Sequence, residues 1–265
     1  MKFYLNAKSK RNEEVVASAF NKFGEVVSNV ADCDLIVSVG GDGTFLKAGK
    51  VAVKYNKPIL GINAGNLGYL CAFKIEDIDK IGLDDIKKLQ ITERTLIEYK
   101  DNIAINDICV LKENPVKSIE VYYKNMNWKG DGIIVSTATG SSSYNESAGG
   151  PILDPISKDL IVTPVCPHFS KYPYQVVKEE IIELNVCDNN PAIITCDNIV
   201  LGNIEGKVII KKSNKTLKIL NHWHWLKLNV IINCRRSKLC FVKNAEKKWA
   251  KIVDFVHTVV KKTKF

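Results

Sequence analysis

The sequence lacks the features that would assign it to a membrane or secreted class. It has no run of about 18 apolar residues, which a membrane-spanning helix requires. Residues 1–6 resemble a strand and lack the long apolar segment and small-residue cleavage site of a signal peptide. The composition, with 46% hydrophobic and 25% charged residues, is ordinary for a globular protein. We therefore expect a cytoplasmic protein with no membrane partner.

Closely spaced cysteine pairs are also missing. None of the eight cysteines forms the Cys-x-x-Cys spacing that structural zinc sites commonly use. The cysteines are scattered along the chain at Cys33, Cys71, Cys109, Cys166, Cys187, Cys196, Cys234 and Cys240. We interpret them as reduced, mostly buried small residues, and we expect neither disulfides nor a protein metal site.

Positive charge is concentrated at the carboxyl end of the chain. From Glu205 to the last residue there are 16 basic and 3 acidic residues, a balance of +13 within a total of +9, so residues 1–204 carry −4. One interpretation is a solvated basic helix with its flanking turns. The other is attraction for a polyanion such as a nucleotide, polyphosphate or nucleic acid.

The first third of the chain alternates strand and helix patterns. The predicted elements are strands at residues 3–5, 34–39 and 58–63 and helices at residues 13–23 and 45–53. Two of the strands open into glycine-containing turns, an order that is typical of a parallel α/β layer. We therefore predict an α/β domain with a Rossmann-like parallel sheet over residues 1–93.

After residue 93 short β-type runs replace the helical patterns. These runs lie at residues 96–99, 107–111, 118–123, 132–136, 180–186, 192–195 and 207–211. Turn residues separate them, which predicts an all-β domain over residues 94–228. An apolar stripe near the end of the chain predicts a helix at about 244–262, and we expect this helix to pack back on the first domain.

The most specific motif is Gly-Gly-Asp-Gly-Thr at residues 40–44, between a strand and a helix. Glycines allow a phosphate to approach the backbone closely, and the free amides of a helix N-terminus attract its charge. Asp42 could accept a hydrogen bond from a hydroxyl that attacks phosphorus, or help to hold Mg²⁺. The alternative is a simple helix cap. The motif fits neither the Walker loop nor Gly-x-Gly-x-x-Gly.

Two further motifs combine glycines with polar side chains. The first, at residues 61–70, contains Asn63, which offers both donors and an acceptor. The second runs from Asp131 to Pro151 and is rich in small hydroxyl residues, with Tyr144 among them. Such a surface can hydrogen-bond a ribose or a base edge while the aromatic ring covers a flat base.

These motifs, in this order, resemble those of NAD kinases. That family shows Gly-Gly-Asp-Gly-Thr, then Asn-x-Gly-x-Leu-Gly-Phe, an Asn-Glu/Asp pair and a long Asp-Gly…Ser-Ala-Gly-Gly-Pro block. Here Asn106-Asp107 stands in the third place, residues 164–168 resemble a later Pro-x-x-Pro-His, and Asp197-Asn198 resembles an Asp-Gly turn. The resemblance covers residues 34–206. The sequence departs from the family at Ala138, Ser142, Ser143, Asn198 and residues 171–173.

The resemblance implies an NAD kinase/diacylglycerol kinase-like fold and transfer of a phosphoryl group from ATP, another NTP or polyphosphate to the 2′-hydroxyl of the adenosine ribose of NAD. It implies a requirement for a divalent ion such as Mg²⁺ and a homodimer or homotetramer. Asp42 would be the catalytic residue. The implied substrate-binding residues are Gly43, Asn63, Asn106, Asp107, Asp131, Ser142, Ser143, Tyr144, Asn145, Glu146 and Ser147, and the implied phosphate contacts are Lys47, Lys117 and Lys129.

The position of Asp42 leads to an expectation about its acidity. A carboxylate at a helix N-terminus should have a lowered pKa, which would make it a poor proton acceptor. Because phosphoryl transfer depends mainly on positioning and charge neutralisation, we expect Asp42 to orient the hydroxyl and to take its proton late.

Two other functions compete with this interpretation. Lipid kinases of the diacylglycerol or sphingosine type share the Gly-Gly-Asp-Gly-Thr turn, but the 131–151 block and Asn106-Asp107 follow the NAD kinase pattern. A non-catalytic nucleotide- or nucleic-acid-binding protein would explain the basic carboxyl end. The sequence contains no nucleic-acid-binding motif, however, so we expect no nucleic-acid partner.

Overall fold

The computed structural model describes residues 1–65, 68–168, 174–187 and 190–222. The predicted helix at 244–262 lies outside the described residues. So do the last residues of the predicted 94–228 domain and residues 171–173, where the sequence departs from the family pattern. Among the described residues, the structure contains no helix that is long and apolar enough to cross a membrane.

An α/β layer forms from the first third of the chain. Its elements are β1 (Lys2–Ala7), α1 (Lys10–Phe20), β2 (Glu25–Val26), β3 (Leu35–Gly40), α2 (Asp42–Tyr55), β4 (Ile59–Asn63), β5 (Phe73–Lys74) and α3 (Leu83–Lys87). Strands β2, β1, β3 and β4 are neighbours and pair in parallel. Helix α1 begins three residues before the predicted start because Ser9 caps it, its side chain accepting from the Asn12 amide at 3.3 Å.

A β-rich part follows, as predicted, with a single short α-helix among the described residues. Its elements are β6 (Gln90–Tyr99), β7 (Asn102–Ala104), β8 (Asp107–Lys112), β9 (Ile119–Tyr123), β10 (Met126–Gly130), β11 (Gly132–Ser136), α4 (Tyr144–Ser147), β12 (Leu160–Val165), β13 (Gln175–Val177), β14 (Ile181–Val186), β15 (Ala192–Cys196), β16 (Ile199–Ile204) and β17 (Gly206–Asn221). Every predicted β run overlaps one of these strands. Five strands, β7, β10, β12, β13 and β16, were not predicted.

The strands form two sheets with one core between them. The second sheet has the order β13-β12-β11-β8-β15-β16 and is antiparallel throughout. Its buried residues, such as Val110 and Val135, belong to one cluster with Leu184 of β14 and Ile210 of β17, two strands of the other sheet. Strand β14 alternates exposed and buried residues along its length, as a strand with one face in a core must.

The long strand β17 joins the β-rich part to the α/β layer. It pairs antiparallel with β14 and β6 and then parallel with β4, where Ile219 lies opposite Ile59. Near this end Leu217 and Ile219 share a buried cluster with Phe45 of α2. The predicted boundary between residues 93 and 94 falls inside β6, and the division into two domains stays a prediction.

Candidate active site

The turn before α2 places Asp42 at the carboxyl edge of the parallel sheet. Strand β3 ends at Gly40 and Asp42 is the first residue of α2, with Gly41 as its N-cap. A Cβ on Gly40 would lie 2.5 Å from the Thr44 hydroxyl, so only glycine fits there without a shift. A Cβ on Gly43 would meet nothing within 4 Å. The turn therefore has open space beside Asp42, where a ligand can approach.

The second motif lies directly against Asp42. The backbone amides of Tyr69 and Leu70 donate to its two carboxylate oxygens at 3.3 and 3.2 Å. Asn63 ends β4 opposite Gly40, and its side chain accepts from the Gly65 amide at 3.0 Å. The folded chain therefore brings the predicted residues Asp42 and Asn63 to the same edge of the sheet.

The acidity of Asp42 differs from the expectation. Burial raises the pKa of Asp42, and this effect outweighs the two amide hydrogen bonds, which lower it. The prediction of a lowered pKa is therefore wrong, because desolvation by burial is the larger effect. A carboxylate with a raised pKa is a better proton acceptor for a hydroxyl. The neighbouring thiol of Cys71 stays neutral, since burial and the charge of Asp42 raise its pKa to about 12.

The Asn106-Asp107 pair lies against the start of the serine-rich block. Asp107 opposes Ser136 in the β8–β11 pairing, and the Thr137 amide donates to the Asn106 carbonyl at 2.9 Å. The Thr137 hydroxyl donates to the Ile105 carbonyl at 2.6 Å. Two segments that are thirty residues apart in sequence thus share one backbone network.

Asp107 is a buried carboxyl group with an unusual acidity. Its side chain lies in the interior, where burial and then the nearby charge of Asp197 raise its pKa to about 6. The Cys109 thiol donates to it at 3.4 Å. A carboxyl group of this kind changes charge close to neutral pH.

The residues around Tyr144 form a partly exposed surface. Tyr144 packs at the margin of a small apolar cluster that contains Cys109, Ile134 and Val165. Burial raises the pKa of Tyr144, so the phenol remains neutral at physiological pH. Of the other predicted contacts, Ser143 and Ser147 are exposed, and Ser142 and Glu146 are half-buried. These side chains remain accessible to a ligand.

Asn145 differs from its neighbours because its side chain is buried in the protein interior. It is fully buried, and its amide donates to the carbonyls of Ser141 and Pro151, both at 2.9 Å. Its oxygen accepts from the Thr163 hydroxyl at 2.7 Å. Asn145 therefore holds the serine-rich segment on β12, and its side chain has no free group for a substrate.

Replacing Asn145 with alanine should destabilise the protein by about 2–4 kcal/mol, because it removes three hydrogen bonds and leaves buried partners unsatisfied. A chemical denaturation curve measures this loss. Asn185→Ala on the exposed face of β14 is the matched control and should change the free energy of unfolding by less than about 0.5 kcal/mol. Equal effects of the two substitutions would contradict the internal role of Asn145.

The remaining predicted residues are charged. Asp131 is half-buried and forms an ion pair with Lys112 at 2.7 Å. The three predicted phosphate contacts, Lys47 on α2, Lys117 before β9 and Lys129 on β10, are all exposed. Their exposure leaves them accessible to a ligand, and their role as phosphate contacts stays a prediction.

Sequence reasoning missed one pair that connects the two parts of the site. Lys50 of α2 forms an ion pair with the buried carboxylate of Asp197 at 3.2 Å. The sequence contains no local signal for this contact, since the partners are far apart along the chain. Among the described residues, no group of three or more His, Cys, Asp or Glu side chains is arranged to hold a metal ion.

Comparisons with known proteins agree with the motifs. A family model described as the ATP-NAD kinase N-terminal domain matches residues 5–87, and one described as the ATP-NAD kinase C-terminal domain matches residues 105–222. An NAD kinase from Ruminiclostridium cellulolyticum is 33% identical over 218 residues, which cover 74% of this chain and 76% of that protein. An NAD kinase from Thermotoga petrophila is 30% identical over 256 residues, covering 92% and 94%.

A solved structure agrees with the fold as well. The crystal structure of an NAD kinase from Archaeoglobus fulgidus in complex with ATP matches with a TM-score of 0.76 at 26% identity, and the match covers 89% of this chain and 99% of that one. These matches give no support to the lipid kinase alternative, and they confirm the resemblance to NAD kinases that the motifs indicate. The chain belongs to the NAD kinase family and is a phosphotransferase.

Proposed function

We propose that this chain transfers a phosphoryl group from ATP to the 2′-hydroxyl of the adenosine ribose of NAD and so forms NADP. Family membership supports the reaction. The observation that carries the assignment of residues is the packing of α2. This helix begins at Asp42 and contacts Ile105, next to Asn106, so closely that a Cβ on Gly49 would lie 2.7 Å from the Ile105 side chain.

Asp42 is the group proposed to meet the reacting hydroxyl. In the step, the 2′-oxygen bonds to the γ-phosphorus, the bond from that phosphorus to the β,γ-bridging oxygen breaks, and the hydroxyl proton passes to the Asp42 carboxylate. The two amides that hold this carboxylate fix its direction. Its raised pKa favours proton acceptance as the transition state collapses.

NAD is proposed to bind over Asn106 and the segment around Tyr144, with Asp107, the buried residue that follows Asn106, as a further proposed contact. The half-buried ring of Tyr144 offers an aromatic face for a base, and Ser143 and Ser147 offer exposed hydroxyls. Asn63, at the carboxyl end of β4, is proposed to contact the ribose side of the same ligand.

ATP is the proposed donor, because the family description names it and the NAD kinase from Archaeoglobus fulgidus was crystallised with it. Magnesium commonly binds through one or two carboxylates together with substrate phosphates. Asp42 is a single carboxylate beside open space, so Mg²⁺ is proposed to enter with the nucleotide, held by its phosphates, and to neutralise phosphate charge while Asp42 stays free to accept the hydroxyl proton. We also propose that the protein forms a homodimer or homotetramer and is located in the cytoplasm.

One experiment tests the proposed reaction directly. Purified protein is incubated with NAD and either Mg-ATP, inorganic polyphosphate or no donor, and NADP is measured by mass spectrometry. A parallel reaction offers diacylglycerol in place of NAD. We expect NADP with Mg-ATP and no phosphorylated lipid. NAD binding without NADP from any donor would overturn the enzyme assignment, and phosphatidic acid would support the lipid kinase.

Replacing Tyr144 with alanine should raise KM for NAD about tenfold and leave kcat within about twofold, because a lost aromatic contact removes binding that the ground state and the transition state share. Steady-state kinetics with varied NAD at saturating ATP measures this. Tyr122→Ala, which removes a similarly half-exposed ring on β9, is the control and should change neither value. A collapse of kcat with KM unchanged would contradict the pocket assignment.

A further inference from the structure

The carboxylate of Asp197 is bound by three successive backbone amides. It accepts from Ile105 at 3.1 and 3.0 Å, from Asn106 at 2.8 Å and from Asp107 at 3.3 Å. The Asp197 side chain is only 1% exposed. Successive amides that point into one concavity form an anion site, and here the anion belongs to the protein itself.

The backbone of Asp197 is fixed as firmly as its side chain. Its amide donates to the Asp107 carbonyl at 3.0 Å. Asp197 and Asn198 form the turn between β15 and β16, and both adopt the left-handed region, with φ values of 46° and 66°. A non-glycine pair in this conformation costs free energy, which the contacts of the turn must offset.

The other side of the same carboxylate faces helix α2. Lys50 approaches it at 3.2 Å with a side chain that is 29% exposed. Lys50 lies two turns along the helix that begins at Asp42. A single buried carboxylate thus contacts both the Asn106-Asp107 segment and the helix that carries Asp42.

We propose that Asp197 is a positioning residue for phosphoryl transfer, because it holds the backbone of Asn106 and Asp107 in a fixed place relative to helix α2. This inference rests on the proposed function. Asp197 is buried and acts through these neighbours, without contact to either substrate. Its effect on the reaction is to keep the NAD-binding segment aligned with the group that receives the hydroxyl proton.

Asp197 also influences the charge state of Asp107. The titratable groups that face Asp107 are Asp197, the thiols of Cys109 and Cys196, and the Tyr144 phenol, and the cation of Lys50 lies beyond Asp197. Of these, Asp197 is the carboxylate whose charge opposes ionisation of Asp107. Removal of that charge therefore lowers the pKa of Asp107 from its value of about 6.

Kinetics of two substitutions test the proposal. Asp197→Ala removes the acceptor for all three amides and should lower kcat/KM for NAD by about a hundredfold, the usual cost of a misplacement of about 1 Å, while KM for ATP stays within about twofold. Asp197→Asn keeps an oxygen for the amides and should recover part of that loss. In this variant the acidic limb of the kcat/KM profile for NAD should lie at lower pH than in the wild-type protein, because the pKa of Asp107 is lower.

The control is Asp101→Ala, which removes an exposed carboxylate from the turn between β6 and β7, where Lys100 is also left-handed. It should leave both kinetic constants unchanged. If Asp197→Ala does not fold, the pH profile of Asp197→Asn tests the proposal in its place. An unmoved acidic limb together with a KM for NAD like that of the control would overturn the proposal. Wild-type protein that makes no NADP would instead overturn the proposed function.

Discussion

Replacing Asp42 with asparagine is expected to lower kcat about a thousandfold, within the range of about 10²–10⁴ that general base catalysis supplies. The side-chain amide of asparagine cannot receive the proton of the 2′-hydroxyl. Its NH2 group would also face one of the two backbone amides that donate to the wild-type carboxylate, and two donors repel each other. The Kd for NAD should change by less than about threefold, because the contact with the hydroxyl gains most of its strength in the transition state.

Turnover and binding must be measured separately to test this expectation. Initial rates at saturating Mg-ATP and NAD give kcat, and calorimetry gives the Kd for NAD. Asp84→Asn, which removes an exposed carboxylate from the first turn of α3, is the matched control and should leave both values unchanged. An Asp42→Asn variant with near-normal turnover would remove Asp42 from the mechanism.

The wild-type pH profile gives a second check on Asp42. Because burial raises its pKa, the acidic limb of the kcat profile should lie above the usual range of an aspartate if Asp42 accepts the proton. Activity is then present at pH values above that limb and is lost as the pH falls through it. The same limb should be absent from the residual activity of Asp42→Asn.

Local sequence patterns predicted the parallel layer well. Strands β3 and β4 are mostly apolar runs that end in glycine or asparagine, and both predictions agree with the observed bounds within one residue. The glycine turn between β3 and α2 was also predicted, since its requirements are steric and act within five residues. Such features depend on neighbours in sequence, which a pattern can describe.

The acidity of Asp42 could not be predicted in the same way. The helix N-terminus, which the sequence does reveal, favours a lowered pKa. The amides of the loop at residues 69–70 donate to the carboxylate from more than 25 residues away in sequence, and burial in the folded chain raises its pKa despite them. Desolvation of this kind depends on tertiary packing, so only the folded chain gives the direction of the shift.

Strand β12 was missed because it contains Pro164, a residue that is rare inside sheets. The pairing explains why it is tolerated. Strand β13 pairs with β12 only at residues 160–162, so at Pro164 the strand has a neighbour on one side only, where Ile133 lies opposite. The second half of β17 was missed for a related reason. Its polar residues 212–215 resemble a turn and instead form an irregularity in the pairing with β6.

The contacts of Asn145 and Asp197 illustrate a third limit. Asn145 stands among residues that were chosen together as substrate contacts, yet its partner Thr163 lies on β12. Asp197 was recognised only as part of a turn, and its amide partners are about 90 residues away. Motif resemblance selects a segment as a whole, whereas burial decides which side chains in it face the ligand.

Replacing Gly140 with alanine is expected to affect both binding and stability. A Cβ at this position would lie 2.3 Å from the Asn106 carbonyl oxygen and 2.6 Å from its carbonyl carbon. These are backbone atoms, so no side-chain rotation relieves the contact, and the Asn106 segment must move. A misplacement of about 1 Å commonly costs a hundredfold, so kcat/KM for NAD should fall by about that factor. Overpacking should also lower the free energy of unfolding by about 1–3 kcal/mol.

The same backbone shift would weaken the hydrogen bond from the Thr137 amide to the Asn106 carbonyl, which now measures 2.9 Å. Kinetics with varied NAD and a denaturation curve should therefore change together. Gly82→Ala is the matched control, because its Cβ would meet only the Asp85 carboxylate at 3.8 Å. Should Gly140→Ala keep its KM for NAD while it loses stability, Asn106 would not contact NAD, because the segment that carries it would have moved without consequence for binding.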